Sequence, residues 1–340
     1  MMVLKGGRDQ VDRLPCINSV STCTVDFMRE YDAFWPASHK DPEKMAKLAS
    51  AAHRLCGLDN VTVPFDTTVE AEVLGAPIDF HEGDLRWPSA KKPVLRDLSV
   101  PIIPRDALQS GRIPVIIEAI KRLKDEFDGE VPVNAYIVPP FTSISSYLAD
   151  AMSFLIGLIR EPEKIQGLLQ GTVDLYIEIA RQYQEAGADI ITLHEMGASC
   201  NNISPAHFER FVEPCIKKIV GNLEVPTILN ICGPVHLIID EMVECGANAI
   251  AVDERTSIEK VKESLKDPRY PVIGNVSPYS VIHPGPARHI EEAVMRVIEE
   301  GVDVVAPGCD FWLETPTGNI KTFVDATQKS GRIKPENDRH

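Results

Sequence analysis

Two cysteines, Cys232 and Cys309, each follow a short apolar, strand-like run and stand beside a glycine, in Asn230-Ile231-Cys232-Gly233 and Pro307-Gly308-Cys309. Neighbouring runs end on side chains of similar reactivity: His194-Glu195, Asp253-Glu254 and Gly274-Asn275. A pair of thiolates completed by an imidazole or a carboxylate is a tetrahedral zinc site. A lone cysteine is more often a small buried hydrophobe, so the metal reading depends on whether the two thiols meet. Cys16, Cys23, Cys56, Cys200, Cys215 and Cys245 have no such pairing and read as packing residues.

Elements that could bring these residues together recur along the chain. Strand-like runs are expected at Leu14 to Thr22, Val61 to Phe65, Val133 to Val138, Asp189 to His194, Thr227 to Ile231, Asn248 to Asp253, Pro271 to Val276 and Val302 to Ala306. Helical stretches alternate with them, at residues 41–55, 114–126, 162–186, 205–223, 234–245, 257–265, 286–300 and 316–328. Ser204-Pro205 and Thr315-Pro316 place a capping hydroxyl before a proline, a helix-start signal. Eight strands alternating with helices predict an α/β fold, a (β/α)8 TIM barrel, as one domain over residues 1–340 with an N-terminal extension. Residues 75–105 hold five prolines and no long helical pattern, so an irregular excursion or cap is expected there. Barrel active sites lie at the carboxyl ends of the strands, where every reactive residue named above falls.

Composition narrows the function classes. The 35 Lys and Arg against 50 Asp and Glu give a formal charge of −15, which opposes binding to nucleic acid or anionic lipid. The longest nearly uncharged apolar stretch, Ala151 to Ile159, is far below the roughly 20 residues that cross a bilayer. With no apolar segment behind the basic residues of the amino terminus, the expected location is the cytoplasm, where the eight cysteines stay reduced.

At Asn230 to Gly233, Gly274-Asn275-Val276 and Pro307-Gly308-Cys309 the chain resembles the uroporphyrinogen decarboxylase superfamily. Thr24-Val25-Asp26, Asp41-Pro42-Glu43-Lys44-Met45-Ala46-Lys47-Leu48, Ala198-Ser199 with Ile203-Ser204-Pro205, and Thr315-Pro316 with Asn319-Ile320 resemble its methylcobamide:coenzyme M methyltransferase branch. The resemblance implies a barrel holding zinc through a His-x-Cys pair after the fifth strand and a cysteine after the eighth. Carried over by position, Cys232 and Cys309 are the thiolate ligands, while the histidine of the pair is Asn230 here. An amide is a weak zinc ligand beside imidazole, so another donor is needed. His194 is either that replacement or a rim histidine held by hydrogen bonds; His236 is a weaker choice. Asp253 falls where related thiol methyltransferases present a carboxylate ligand, with Glu254 beside it. Glu195 and Asp253 are the candidate catalytic carboxylates, Glu195 also as a partner of the ligands. Pro15 to Thr24 has no arginine, which argues against decarboxylation of an acidic tetrapyrrole.

The implied chemistry passes a methyl group from the cobalt of a corrinoid carried by a partner protein to a small thiol such as coenzyme M, held as a zinc-bound thiolate. Loops after Asp66, Pro139 and Asn275 would form the docking rim, with Asp66, Asn230 and Asn275 as substrate- or corrinoid-binding residues. Two alternatives stay open: a corrinoid-linked demethylase acting on a methyl ether or methylamine, and an inactive barrel that binds a corrinoid protein.

Overall fold

The structure, a computed structural model, describes residues 1–333. Its strands are β1 (Val61–Val63), β2 (Ile78–Asp79), β3 (Ser89–Ala90), β4 (Val133–Ile137), β5 (Ile190–His194), β6 (Thr227–Ile231), β7 (Ala249–Val252), β8 (Val272–Val276) and β9 (Val304–Pro307). Seven form one parallel sheet in the order β1-β4-β5-β6-β7-β8-β9, with helices following the strands. The seven strands of this sheet are buried throughout, as a parallel sheet covered on both faces requires.

The expected first strand is where structure and sequence part. Leu14 to Thr22 forms no regular strand, yet it fills the gap that closes the barrel. Val305 N–H donates to Pro15 O at 2.9 Å, and Ile17 N–H donates to Val305 O at 3.0 Å. On the other side Asp59 N–H donates to Cys16 O at 2.8 Å, after which side chains take over: Asn18 N–H donates to Asn60 Oδ1 and Asn60 Nδ2 to Asn18 O. Pro15 has no N–H to give, and the asparagine pair replaces the ladder bonds that would define a strand.

Alternation along each strand sorts the core into two. Ile190, Ile228, Ala249, Ala251, Ile273, Val304 and Ala306 fill the barrel interior, with Ile17 and with Val3 and Leu4 of the N-terminal extension. Their neighbours Ile191, Leu193, Leu229, Ile231, Ile250, Val252, Val272 and Val305 face the helices. The same period of two carries Thr192 and His194 in β5, Asn230 and then Cys232 in β6, Asp253 after β7 and Asn275 in β8 onto the interior side. An apolar floor thus gives way to a polar upper layer: Thr192 Oγ1 donates to Asn134 Oδ1, and Asn134 Nδ2 to Ser19 O.

Other departures have local causes. The helix expected over 205–223 runs as Pro205–His207, a π turn at Phe208–Val212 and Glu213–Val220, because Pro214 cannot donate to the carbonyl of Arg210. That expected over 234–245 is confined to Ile239–Glu244, leaving His236 in the preceding loop. Ser204 caps as expected, accepting from His207 N–H. Thr315 does not: its buried hydroxyl has no partner among the described residues, and Asp26 Oδ2 instead accepts from Thr317 N–H at 3.1 Å. A carboxylate serves a helix N-terminus better than a hydroxyl does. In the 75–105 excursion β2 and β3 form a small antiparallel pair, and Trp87, Pro88 and Ser89 reach the barrel mouth.

Candidate metal centre

The donor atoms of His194, Cys232 and Cys309 all lie within 4.8 Å of one another. The two sulfurs are 2.7 Å apart although 77 residues separate them in sequence. Both cysteines are free and half-buried, and with His194 they line a chamber of about 820 Å3 at the carboxyl ends of the strands.

Local backbone explains how the thiols reach this point. Cys232 continues the inward parity of β6, and Gly233 turns the chain with φ of +104°; a Cβ there would lie 2.8 Å from Ser199. Gly308 lets β9 end against the turn after β7: an added Cβ would collide with Glu254 Oε2 and lie 3.2 Å from Asp253 Cα. Cys309 follows at once.

The electrostatics suit a cation. Burial lowers His194 to about 4, an effect its bond to Asn230 only partly offsets, so the imidazole is neutral at pH 7. Asn230 Oδ1 faces His194 Nδ1 at 2.7 Å, while Asn230 Nδ2 points to Ser19 Oγ. With Nδ1–H donated to the amide oxygen, the Nε2 lone pair is free for a metal. Its hydrogen bond with Cys309, then burial and nearby carboxylates hold the Cys232 thiol well above its usual range. A thiol pair in that setting ionises when a cation takes up the charge, and two thiols with a neutral imidazole are a donor set that fits zinc.

The other expected site residues are placed as follows. Asp253 lies outside the donor group: its carboxylate accepts from the N–H of Gly233 and of Arg255, which pins the turn carrying Cys232. Asn275 Nδ2 donates to Asp253 O at 2.9 Å and Thr256 O at 2.7 Å, fixing the same turn from beneath. Glu195 accepts from Thr142 N–H at 2.7 Å and from the Thr142 hydroxyl, and burial pushes it up to about 8. Asp66 lines the chamber but is bound by Arg112 and lies 3.1 Å from His39 Nδ1. Burial would raise its carboxyl, yet Arg112 and His39 outweigh that and hold it well below its usual range. Of the expected rim, Thr67 and Tyr279 line the chamber, whereas Pro139 and Pro140 are buried away from it.

Several contributors escaped sequence reasoning. Asp310, raised to about 7 by burial, accepts from Ser21 N–H at 2.7 Å beside Cys309. Trp87, Tyr279 and Trp312 form an aromatic side of the chamber, with ring centroids 6.2 Å apart for Trp87 and Trp312 and 5.4 Å for Tyr279 and Trp312. Asp310 directly follows Cys309 and Trp312 comes three residues after it, a signal present in the sequence; Trp87 comes from the excursion and had none.

Comparison with known proteins adds an independent finding. The uroporphyrinogen decarboxylase (URO-D) family model matches residues 3–330. The methylcobamide:CoM methyltransferase MtaA of Methanosarcina barkeri is 32% identical over 316 residues, 93% of each chain. The methylcobamide:CoM methyltransferase MtbA of Methanosarcina mazei is 34% identical over 326 residues, 94% of each chain. A solved methyltransferase structure from Methanosarcina mazei superposes with a TM-score of 0.91 at 35% identity, covering 96% of both chains.

Proposed function

The chain belongs to the uroporphyrinogen decarboxylase family, and from that premise we propose that it is a methyltransferase passing a methyl group from a methylated corrinoid protein to a small thiol. The observation that carries this reading is the convergence of His194, Cys232 and Cys309 on one point of the chamber wall. Relatives named as methylcobamide:CoM methyltransferases support it, and coenzyme M is the acceptor they suggest.

His194 Nε2 and the sulfurs of Cys232 and Cys309 would hold the zinc. Zinc, when bound, lowers the pKa of a coordinated thiol so that it is a thiolate at neutral pH. Asn230 keeps His194 in the tautomer that leaves Nε2 free. Asp253 acts as a positioning residue through Gly233 N–H, and Glu195, a neutral acid at pH 7, holds Thr142, whose hydroxyl accepts from Gly197 N–H at 2.7 Å. In the transfer a sulfur–carbon bond forms and the cobalt–carbon bond breaks. Its electron pair stays on cobalt, and the thiol proton passes to solvent. The chamber opens at the barrel mouth, where a partner protein would present its corrinoid.

Mixing the zinc-replete protein with methylcobalamin and a free thiol should convert the methylcobalt spectrum to that of reduced cobalt, with loss of the reaction in Cys232→Ser. A protein that instead acts only on a methyl ether or methylamine with reduced corrinoid would contradict the direction proposed.

A further inference from the structure

Three separate parts of the chain set aromatic rings side by side in the chamber wall. Trp87 comes from the excursion, Tyr279 from the π turn after β8 and Trp312 from the loop after β9. Their centroid separations of 6.2 Å and 5.4 Å fall in the range at which aromatic pairs attract. The rings are also held from behind. Trp35, only 5% exposed, packs against Trp87 with centroids 5.4 Å apart. Phe311 is fully buried against Phe323, which anchors the loop from which Trp312 turns outward. Trp312 and Tyr279 are nevertheless 42% and 64% exposed. Large rings on a firm support that face a cavity hold apolar surface that folding has left unburied.

The small thiol does not account for this wall. At about 820 Å3 the chamber lies in the upper part of the roughly 300–1,000 Å3 that encloses a drug-sized ligand, and a thiol of a few heavy atoms leaves most of it empty. The polar tail of the thiol has neutral donors elsewhere. Ser199, Asn201 and Asn202 line the chamber from the loop after β5, which the sheet order sets across the barrel from β8 and β9. The second reactant is a broad, flat macrocycle. Its methyl carbon must approach a sulfur held beside His194, Cys232 and Cys309 to roughly 3–3.5 Å. The macrocycle therefore enters the mouth and lies over the metal site, and Trp312, three residues beyond Cys309, flanks that position.

We propose that Trp87, Tyr279 and Trp312 form the platform on which the corrin macrocycle of the methyl donor rests during transfer, an inference that depends on the methyl-transfer reading above. The rings bind the macrocycle and set its depth and tilt, while the thiol is held toward the opposite wall. No bond is made or broken at the rings, and the transfer is the one already described.

The test uses the zinc-replete full chain and methylcobalamin as the probe. Equilibrium dialysis in the dark measures its binding, with zinc content and the calorimetric affinity for 2-mercaptoethanesulfonate as checks that the metal site is intact. Trp312→Leu and Tyr279→Ser should each weaken methylcobalamin binding roughly tenfold, as loss of a buried aromatic contact does, with both checks unchanged. Trp312→Phe, which keeps a ring, should restore most of the affinity. Met295→Ser, on the outer helix Ala287–Glu299, should change nothing. Binding that is equal in the wild type and in the Trp312→Leu/Tyr279→Ser double variant overturns the proposal, as does a loss in Met295→Ser as large as in the ring variants. Turnover with 2-mercaptoethanesulfonate separates this from the parent reading. The ring variants should raise KM for methylcobalamin and leave kcat near the wild-type value. Methyl transfer with KM unchanged in those variants would overturn the platform and leave methyl transfer standing. Ring-dependent binding of methylcobalamin without transfer to any thiol would uphold the platform and count against methyl transfer.

Discussion

Asn230 Oδ1 lies 2.7 Å from His194 Nδ1, on the adjacent strand and in direct register, since His194 and Asn230 pair across β5 and β6. The family resemblance implies an imidazole at position 230; Asn230 stands there instead, and its amide oxygen faces the imidazole one strand over, the proposed replacement ligand. Outer partners of this kind fix ligand tautomer, and their loss costs metal affinity. Asn230→Ala should therefore weaken zinc binding by roughly 10–100-fold while leaving the stoichiometry at saturation unchanged. Competition against a chromophoric chelator measures this, and an unchanged affinity would remove Asn230 from the site.

Arg112 is a buried cation serving two acids, Asp66 and Glu72, with its guanidinium 4.9 Å from the Phe80 ring. Removing it leaves the buried Asp66 carboxylate with His39 and with the N–H and hydroxyl of Thr68, and without a guanidinium to balance its charge. Arg112→Met is expected to destabilise the fold by about 3–5 kcal/mol, read by urea denaturation. Because Asp66–Thr67 lines the chamber, the loop should also become more accessible to protease. A loss under about 1 kcal/mol would mean the pair is better solvated than its burial indicates.

The pH dependence of stability should carry the signature of Glu195. Burial raises its pKa to about 8 in the folded chain, against about 4.3 for an unfolded glutamate. The folded state thus holds the proton more tightly. Its contribution is fully present below the unfolded value and is lost as pH climbs toward 8. Glu195→Gln cannot ionise and keeps an oxygen to accept from Thr142. Between pH 5 and pH 8 its Tm should gain on the wild type by roughly 2 °C or more. Parallel melting curves across that range would show that Glu195 does not titrate there.

Gly308 has no room for a side chain, with Glu254 Oε2 and backbone atoms of Asp253 and Glu254 around its would-be Cβ. Gly308→Ala should cost about 1–3 kcal/mol, as overpacking does, and should displace Cys309 from Cys232. Reduced thermal stability together with weakened zinc binding is the expected pair of results. Full metal affinity with normal stability would mean that Glu254 yields freely.

Much of this was legible because period-two alternation is a strong signal in a buried parallel strand. Val133 to Val138, Asp189 to His194 and Thr227 to Ile231 are placed within a residue by their β-branched runs, and the thiol pair follows from where two strands end. Leu14 to Thr22 departs from the regular strand its pattern predicts because Asn18 and Asn60 form side-chain bonds that no propensity encodes. Side-chain direction was equally hidden. That Asp253 turns to Gly233 N–H, and Glu195 to Thr142, depends on contacts from other strands. Trp87 reaches the chamber by way of a short hairpin in a proline-rich stretch without periodicity.

Whether Cys232, Cys309 and His194 share one zinc ion can be read from X-ray absorption at the zinc edge combined with metal analysis. The wild type grown with zinc should hold about one equivalent per chain, with two sulfur ligands and imidazole scattering that disappears in His194→Ala. A zinc-free wild-type protein that takes up none on addition would rule out the shared ion, and imidazole scattering that survives in His194→Ala would rule out His194 as its ligand.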